Sequence, residues 1–231
     1  MISQQEFTTF TFLFSIFLGE DNVALIDLSR DASITSRLLK NPEPPFISDW
    51  LLDRCELADV LRNYRIEIGD RLYKFWIGPN NNQPVFARNI DSKVSELVDI
   101  ASYLKAVILD LPTFPFDSSH FAKFIQASDR IILVSSPDRG ALKAVMNIPS
   151  LDNKFVVPVL NMYHPVLEQY KISLEKRYGN CITLPHDKAL INLKPERTKY
   201  TVKALSKEFN VQLGKLAKVV LTRSFAFVKT R

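Results

Sequence analysis

The chain has 231 residues, 46% of them apolar and 24% charged, with 6 Gly and 13 Pro. This is the composition of a globular protein, and with no uncharged apolar run approaching ~18 residues it excludes membrane-spanning, disordered and collagen-like classes. The formal charge of +5 is unevenly placed: residues 194–231 hold ten Lys and Arg against Glu196 and Glu208, leaving twenty basic and twenty-three acidic residues elsewhere.

The opening MISQQEF has no basic stretch, so the apolar run behind it is not read as a signal peptide. Ser3 and Glu6 fit a capping box, Phe10, Leu13, Phe14 and Phe17 repeat at helical spacing, and Gly19 supplies a stop, which together predict a helix over 4–18. FTTFTFLFSIF is also rich in aromatics and Thr and partly alternates, so a strand is the competing reading. Six nearly continuous apolar runs follow: VALIDL (23–28), LYKFWIG (72–78), KAVILDLP (105–112), RIILVSSP (130–137), KFVVPVLN (154–161) and CITLP (181–185). Runs without alternation are strands buried on both faces of a parallel sheet. Amphipathic segments at 91–104, 118–127, 138–147 and 164–178 lie between them; in the first, Val94, Leu97, Val98 and Ala101 form the apolar face. Strand alternating with helix predicts an α/β fold, a doubly wound and mostly parallel sheet flanked by helices, as one domain over 1–231. NPEPP (41–45) and GPNNNQP (78–84) read as surface loops.

In such sheets ligands sit beyond the carboxyl ends of the strands, where Asp27, Asp110, Pro112, Pro137, Asp138, Asn161, Pro185 and Asp187 fall. An Asp ending an apolar strand, as in VILDLP, suits a carboxylate reaching magnesium or its water, and equally a helix N-cap. Other chemistry is weakly represented. His120, His164 and His186 are scattered without metal-ligand spacing, Ser135 and Ser136 lack a nucleophile elbow, and Trp50, Trp76 and the sixteen Phe read as core. Cys55 and Cys181 are too few and too far apart for a disulfide framework or a CxxC metal site, so a reducing cytoplasm is expected.

Taken in order, these motifs resemble the ParA/MinD group of deviant P-loop ATPases. VALIDLSRDASITSRLL (23–39) is similar to the strand, Asp-x-Asp and small-residue switch of that group, and KAVILDLP to its Walker B strand. ASDRIILVSSPDRGALKAV (127–145) resembles the following strand, VPVLN (157–161) the strand whose terminal Asn contacts adenine, and LPHD (184–187) the loop beside the base. The resemblance spans roughly residues 8–220, and the DLP ending with FWIGP (75–79) looks closest to the TadZ/CpaE branch. It implies nucleotide-binding positions at Asp27, Asp110, Asn161, Pro185 and Asp187, and a homodimer with a partner protein of a positioning or partition system.

The phosphate loop of that group departs most. Glycines let backbone N–H groups approach phosphate and lysines neutralise its charge, but no glycine precedes Gly19 here, and Glu6, Phe7, Thr8 and Thr9 stand where the resemblance places Gly-Lys-Thr-Thr. The second Asp of Asp-x-Asp is Ser29. The expectation is a pseudo-ATPase that requires no cofactor, with ATP or ADP bound weakly at most and no metal. An active positioning ATPase with a reorganised phosphate site is the alternative, and a non-specific DNA-binding module on this fold is a second. For the basic C-terminus, Lys203, Lys207, Lys215, Lys218 and Arg223 are candidate DNA contacts, with Leu205, Phe209, Val211, Leu213 and Leu216 turned to the sheet. A membrane-lying helix over 215–231, with Phe227 on its apolar face, is the less favoured use.

Overall fold

The computed structural model describes residues 13–16, 18, 22–29, 32–68, 70–83, 87–112, 119–146, 148, 154–192 and 202–221. Among these the strands are β1 (Val23–Asp27), β2 (Arg62–Ile68), β3 (Arg71–Gly78), β4 (Ala106–Asp110), β5 (Arg130–Ser135), β6 (Phe155–Tyr163) and β7 (Ile182–Pro185). They form two sheets, of order β2-β3-β1-β4 and β5-β6-β7. Every pairing is parallel except β2 with β3. The expected α/β fold with mostly parallel strands and flanking helices is therefore present; β2 and β4 are the edge strands of the first sheet, β5 and β7 those of the second.

Burial follows from those positions. All five residues of β1, held between β3 and β4, are buried, whereas every residue of β4 and all but the last of β5 are only half-buried. One apolar cluster runs across both sheets: Val23, Leu25, Phe75 and Ile77 from the first, Val157, Val159 and Leu184 from the second. Leu13, Phe14 and Ile16, together with Phe209, Leu213 and Leu216 of the helix Lys207–Leu221, cover it. The opposite face of the first sheet packs Ile26 and Leu28 against Trp50, Leu57, Leu97 and Phe124, and that of the second packs Leu160 against Val145 and Leu174.

Residues 13–16 are helical, and Leu18 N donates to Phe14 O at 3.0 Å, in keeping with the helix reading of the N-terminal segment; its residues 4–12 lie outside the described ones. The helices Ile90–Ser102, Ser119–Ala127, Arg139–Met146 and Glu168–Tyr178 stand where the apolar spacing put them. Val98 is nevertheless 52% exposed, because Leu97 points to the core and its neighbour is rotated off that face. Three short helices, Ser33–Leu38, Ile47–Leu51 and Leu57–Val60, and the strand β2 were not expected. Gly78 closes β3 against the buried Ile47, whose Cδ1 lies 2.7 Å from where a Cβ at position 78 would stand.

Candidate functional site

At the carboxyl end of β1 the chain turns through Ser29 into the helix Ser33–Leu38, and that turn is organised around one carboxylate. Asp27 is fully buried. Its Oδ1 accepts from Ser29 N at 3.2 Å and Ser29 Oγ at 2.5 Å, and its Oδ2 from Thr35 N at 2.9 Å and Thr35 Oγ1 at 2.8 Å. Asn80, just beyond β3, closes the ring: its N–H donates to Thr35 Oγ1 at 2.8 Å and its Nδ2 to Ser29 O at 2.7 Å. Asn80 is 2% exposed, so the segment 78–84 read as a surface loop turns this residue inward to satisfy the backbone of the β1 turn. Burial raises the Asp27 carboxyl above its usual range even though the four hydrogen bonds pull the other way.

An ionised carboxylate offers about four acceptor sites, and here four donors of the chain itself take them. The donor set therefore does not fit a magnesium–nucleotide on the Asp27 side, and no glycine pair closer than nine residues exists in the chain to cradle phosphate. Thr35 and Asn80 escaped the sequence reading. Their only signal was a hydroxyl in the short segment SITSRL and an Asn two residues past the end of β3.

The structure brings some expected site residues together and keeps others apart. Asp27 and Asp110 are register partners on β1 and β4, with Asp110 half-buried. Asn161 and Pro185 lie on the paired strands β6 and β7 of the other sheet, where the register slips between Leu160 and Tyr163 and Met162 takes φ 55°. The buried Asp187 is tied into the fold: Oδ1 accepts from Ala189 N at 3.0 Å and Oδ2 from Ser206 N at 2.7 Å, linking the end of β7 to the start of the helix Lys207–Leu221. Asp138, after β5, accepts from Ser136 Oγ at 2.6 Å and from Ala141 N at 2.8 Å, an N-cap for the helix Arg139–Met146. The Ser136 hydroxyl and the Ala141 amide hold its carboxyl below the usual range.

On the helix Lys207–Leu221 and the turn before it, Lys203, Lys207, Lys215 and Lys218 are exposed; Arg223 and Phe227 lie outside the described residues. Phe209, Leu213 and Leu216 are buried as expected, but Val211 is 47% exposed. With Val219 and Leu221 also exposed, the basic side carries apolar area that the sequence reading did not grant it, because on a helix of 3.6 residues per turn 211 lies nearly opposite 209, 213 and 216, and 219 and 221 lie on the flanks of that face. Glu6, Phe7, Thr8 and Thr9 lie outside the described residues as well. Both cysteines are free, and burial pushes the Cys181 thiol up to about 11. Among the described residues no helix is long and apolar enough to cross a membrane, and no group of His, Cys, Asp and Glu is placed to hold a metal.

No protein-family model and no curated protein matches this sequence. Solved structures do match its fold. The septum site-determining protein MinD from Pyrococcus horikoshii OT3, complexed with Mg-ADP, superposes with a TM-score of 0.70 at 16% identity, over 99% of this chain and 95% of that one. The MinC:MinD cell division complex of Aquifex aeolicus gives 0.70 at 16% identity, over 94% and 91% of the two chains. A ParA family ATPase from Chlorobium tepidum TLS gives 0.68 at 14% identity, over 93% and 94%. With TM-scores of 0.68 to 0.70 over more than nine-tenths of each chain, the fold of the chain is that of the ParA/MinD-type ATPases.

Proposed function

We propose that this chain is a non-catalytic protein of the ParA/MinD fold, acting in positioning, partition or scaffolding through dimerisation and contact with DNA or a partner protein. The observation that carries the reading is the Asp27 network: the carboxylate at the strand end nearest the Walker B-like Asp110 is spent on Ser29 and Thr35 and so is a structural fastening. Phosphoryl transfer depends on positioned positive charge and metal, and the 231 residues hold no glycine–lysine loop to supply the first. Nucleotide affinity, where present, is led by the base through Asn161 and residues 185–187, and is correspondingly weak. The exposed Lys203, Lys207, Lys215 and Lys218 support sequence-independent contact with phosphate backbones.

The purified chain is expected to hydrolyse ATP no faster than buffer; turnover above background that disappears in Asp110→Ala overturns the reading. In a parallel measurement, DNA binding is expected to fall steeply as salt rises and to lose that slope when the four lysines are replaced by Ala. Because Val211, Val219 and Leu221 are exposed beside those lysines, flotation with anionic vesicles is the control, and flotation without DNA binding rejects the DNA element.

A further inference from the structure

Strand β2 is the outer member of the first sheet. β3 pairs one of its edges, and among the described residues no strand pairs the other. Seven consecutive pairs, from Arg62 with Ile77 to Ile68 with Arg71, hold β2 against β3 without a bulge. Its sequence, RNYRIEI, contains neither proline nor lysine. Bulges, prolines and charged side chains, lysine above all, keep an exposed edge from accepting another strand; β2 has no bulge, proline or lysine, and the charges on its exposed face, Arg65 and Glu67, are of opposite sign and so can be matched by a partner strand. Asn63, Arg65 and Glu67 are exposed and share one face, while Tyr64 packs from the other face against the core.

We propose that β2 pairs antiparallel with β2 of a second copy of this chain, about a two-fold axis through Ile66, joining the two four-stranded sheets into one. The register follows from charge. Centred on Ile66, Arg65 stands directly opposite Glu67 of the second copy, and by symmetry Glu67 opposite its Arg65, so two opposite-charge pairs form on one exposed face. Centred on Arg65 or on Glu67, like charges meet across the axis instead. Centred between residues, the pairing sets the exposed face of one copy against the core face of the other. One register therefore satisfies both charge and face. The inference gives the dimer of the proposed function a surface and rests on that reading only there; it owes nothing to nucleotide.

Sedimentation velocity without nucleotide tests it. The wild-type chain shows a concentration-dependent dimer. Arg65→Glu alone and Glu67→Arg alone each set like charges against one another twice and weaken that dimer roughly tenfold or more. Mixing the two single variants restores opposite charges at both positions and recovers association as a heterodimer. Both positions are exposed, and circular dichroism verifies that each variant is folded. Ile66→Cys, at the axis, forms an intermolecular disulfide under mild oxidation. A dimer indifferent to both substitutions, or one weakened by them and not recovered on mixing, overturns the β2 surface while leaving a dimer in place. A chain that stays monomeric throughout overturns the dimer itself, and neither result touches the hydrolysis reading.

Discussion

Asp27 ends β1 and Asp138 follows β5, and both use the same kinds of donor, a serine hydroxyl two residues away and an amide from the helix that comes next. Yet their carboxyls shift in opposite directions: burial lifts Asp27, and the Ser136 hydroxyl and Ala141 amide lower Asp138. The difference lies in water. Asp138 is exposed and keeps solvent on its free side, whereas Asp27 has given up all its solvation and has only four donors in return. Counting hydrogen bonds alone would rank Asp27 as the better stabilised anion. Desolvation reverses the ranking, and it also separates a carboxylate that fastens a turn from one that merely caps a helix.

The comparison breaks most easily at Asp27. Replacing it with Ala leaves the Thr35 amide and hydroxyl and the Ser29 amide buried without their acceptor, and about 2–4 kcal/mol of stability is expected to be lost in urea unfolding. A loss under ~1 kcal/mol shows that the turn rebuilds itself and that the carboxylate is not its fastening. Asp138→Ala removes a solvated cap and is expected to cost about 1 kcal/mol; a cost equal to that at Asp27 erases the distinction. The subtlest effect is on pH dependence. The folded-state pKa of Asp27 is raised above the ordinary 3.8, so its contribution is greatest below that value and declines as pH rises through the raised pKa. That of Asp138 is lowered, so its contribution is present above 3.8 and is lost as pH falls through the lowered pKa. From about pH 3 to about pH 7, the stability advantage of the wild type is expected to shrink over Asp27→Asn and to grow over Asp138→Asn. Two slopes of the same sign contradict the assignment.

Six strands were legible in the sequence because β-branched runs such as VALID and RIILVS have no polar face to hide. β2 was not, since Arg, Asn, Arg and Glu break RNYRIEI into what looks like a polar connector; it is an edge strand with one face in water, and its alternation is the only trace of that. The helices Ser33–Leu38, Ile47–Leu51 and Leu57–Val60 are too short for a 3.6-residue period to repeat. At the site, the strand-end Asp residues were readable from position alone. Thr35 and Asn80 were not: Thr35 reaches Asp27 from eight residues further on, and Asn80 reaches Thr35 and Ser29 because β1 pairs with β3, a contact between segments far apart in the chain.

The partial burial of Cys181, one residue before β7, makes that thiol a reporter on the second sheet. With its thiol pushed up to about 11, Cys181 offers less thiolate than an ordinary cysteine, and the thiolate is the form that alkylating reagents attack. Modification is therefore slow for as long as β7 and the helix Glu168–Tyr178 stay packed, and it accelerates toward the rate of an ordinary cysteine each time they part. The rate of labelling at Cys181, read separately from that at the free Cys55, reports the opening of this part of the second sheet without an introduced probe.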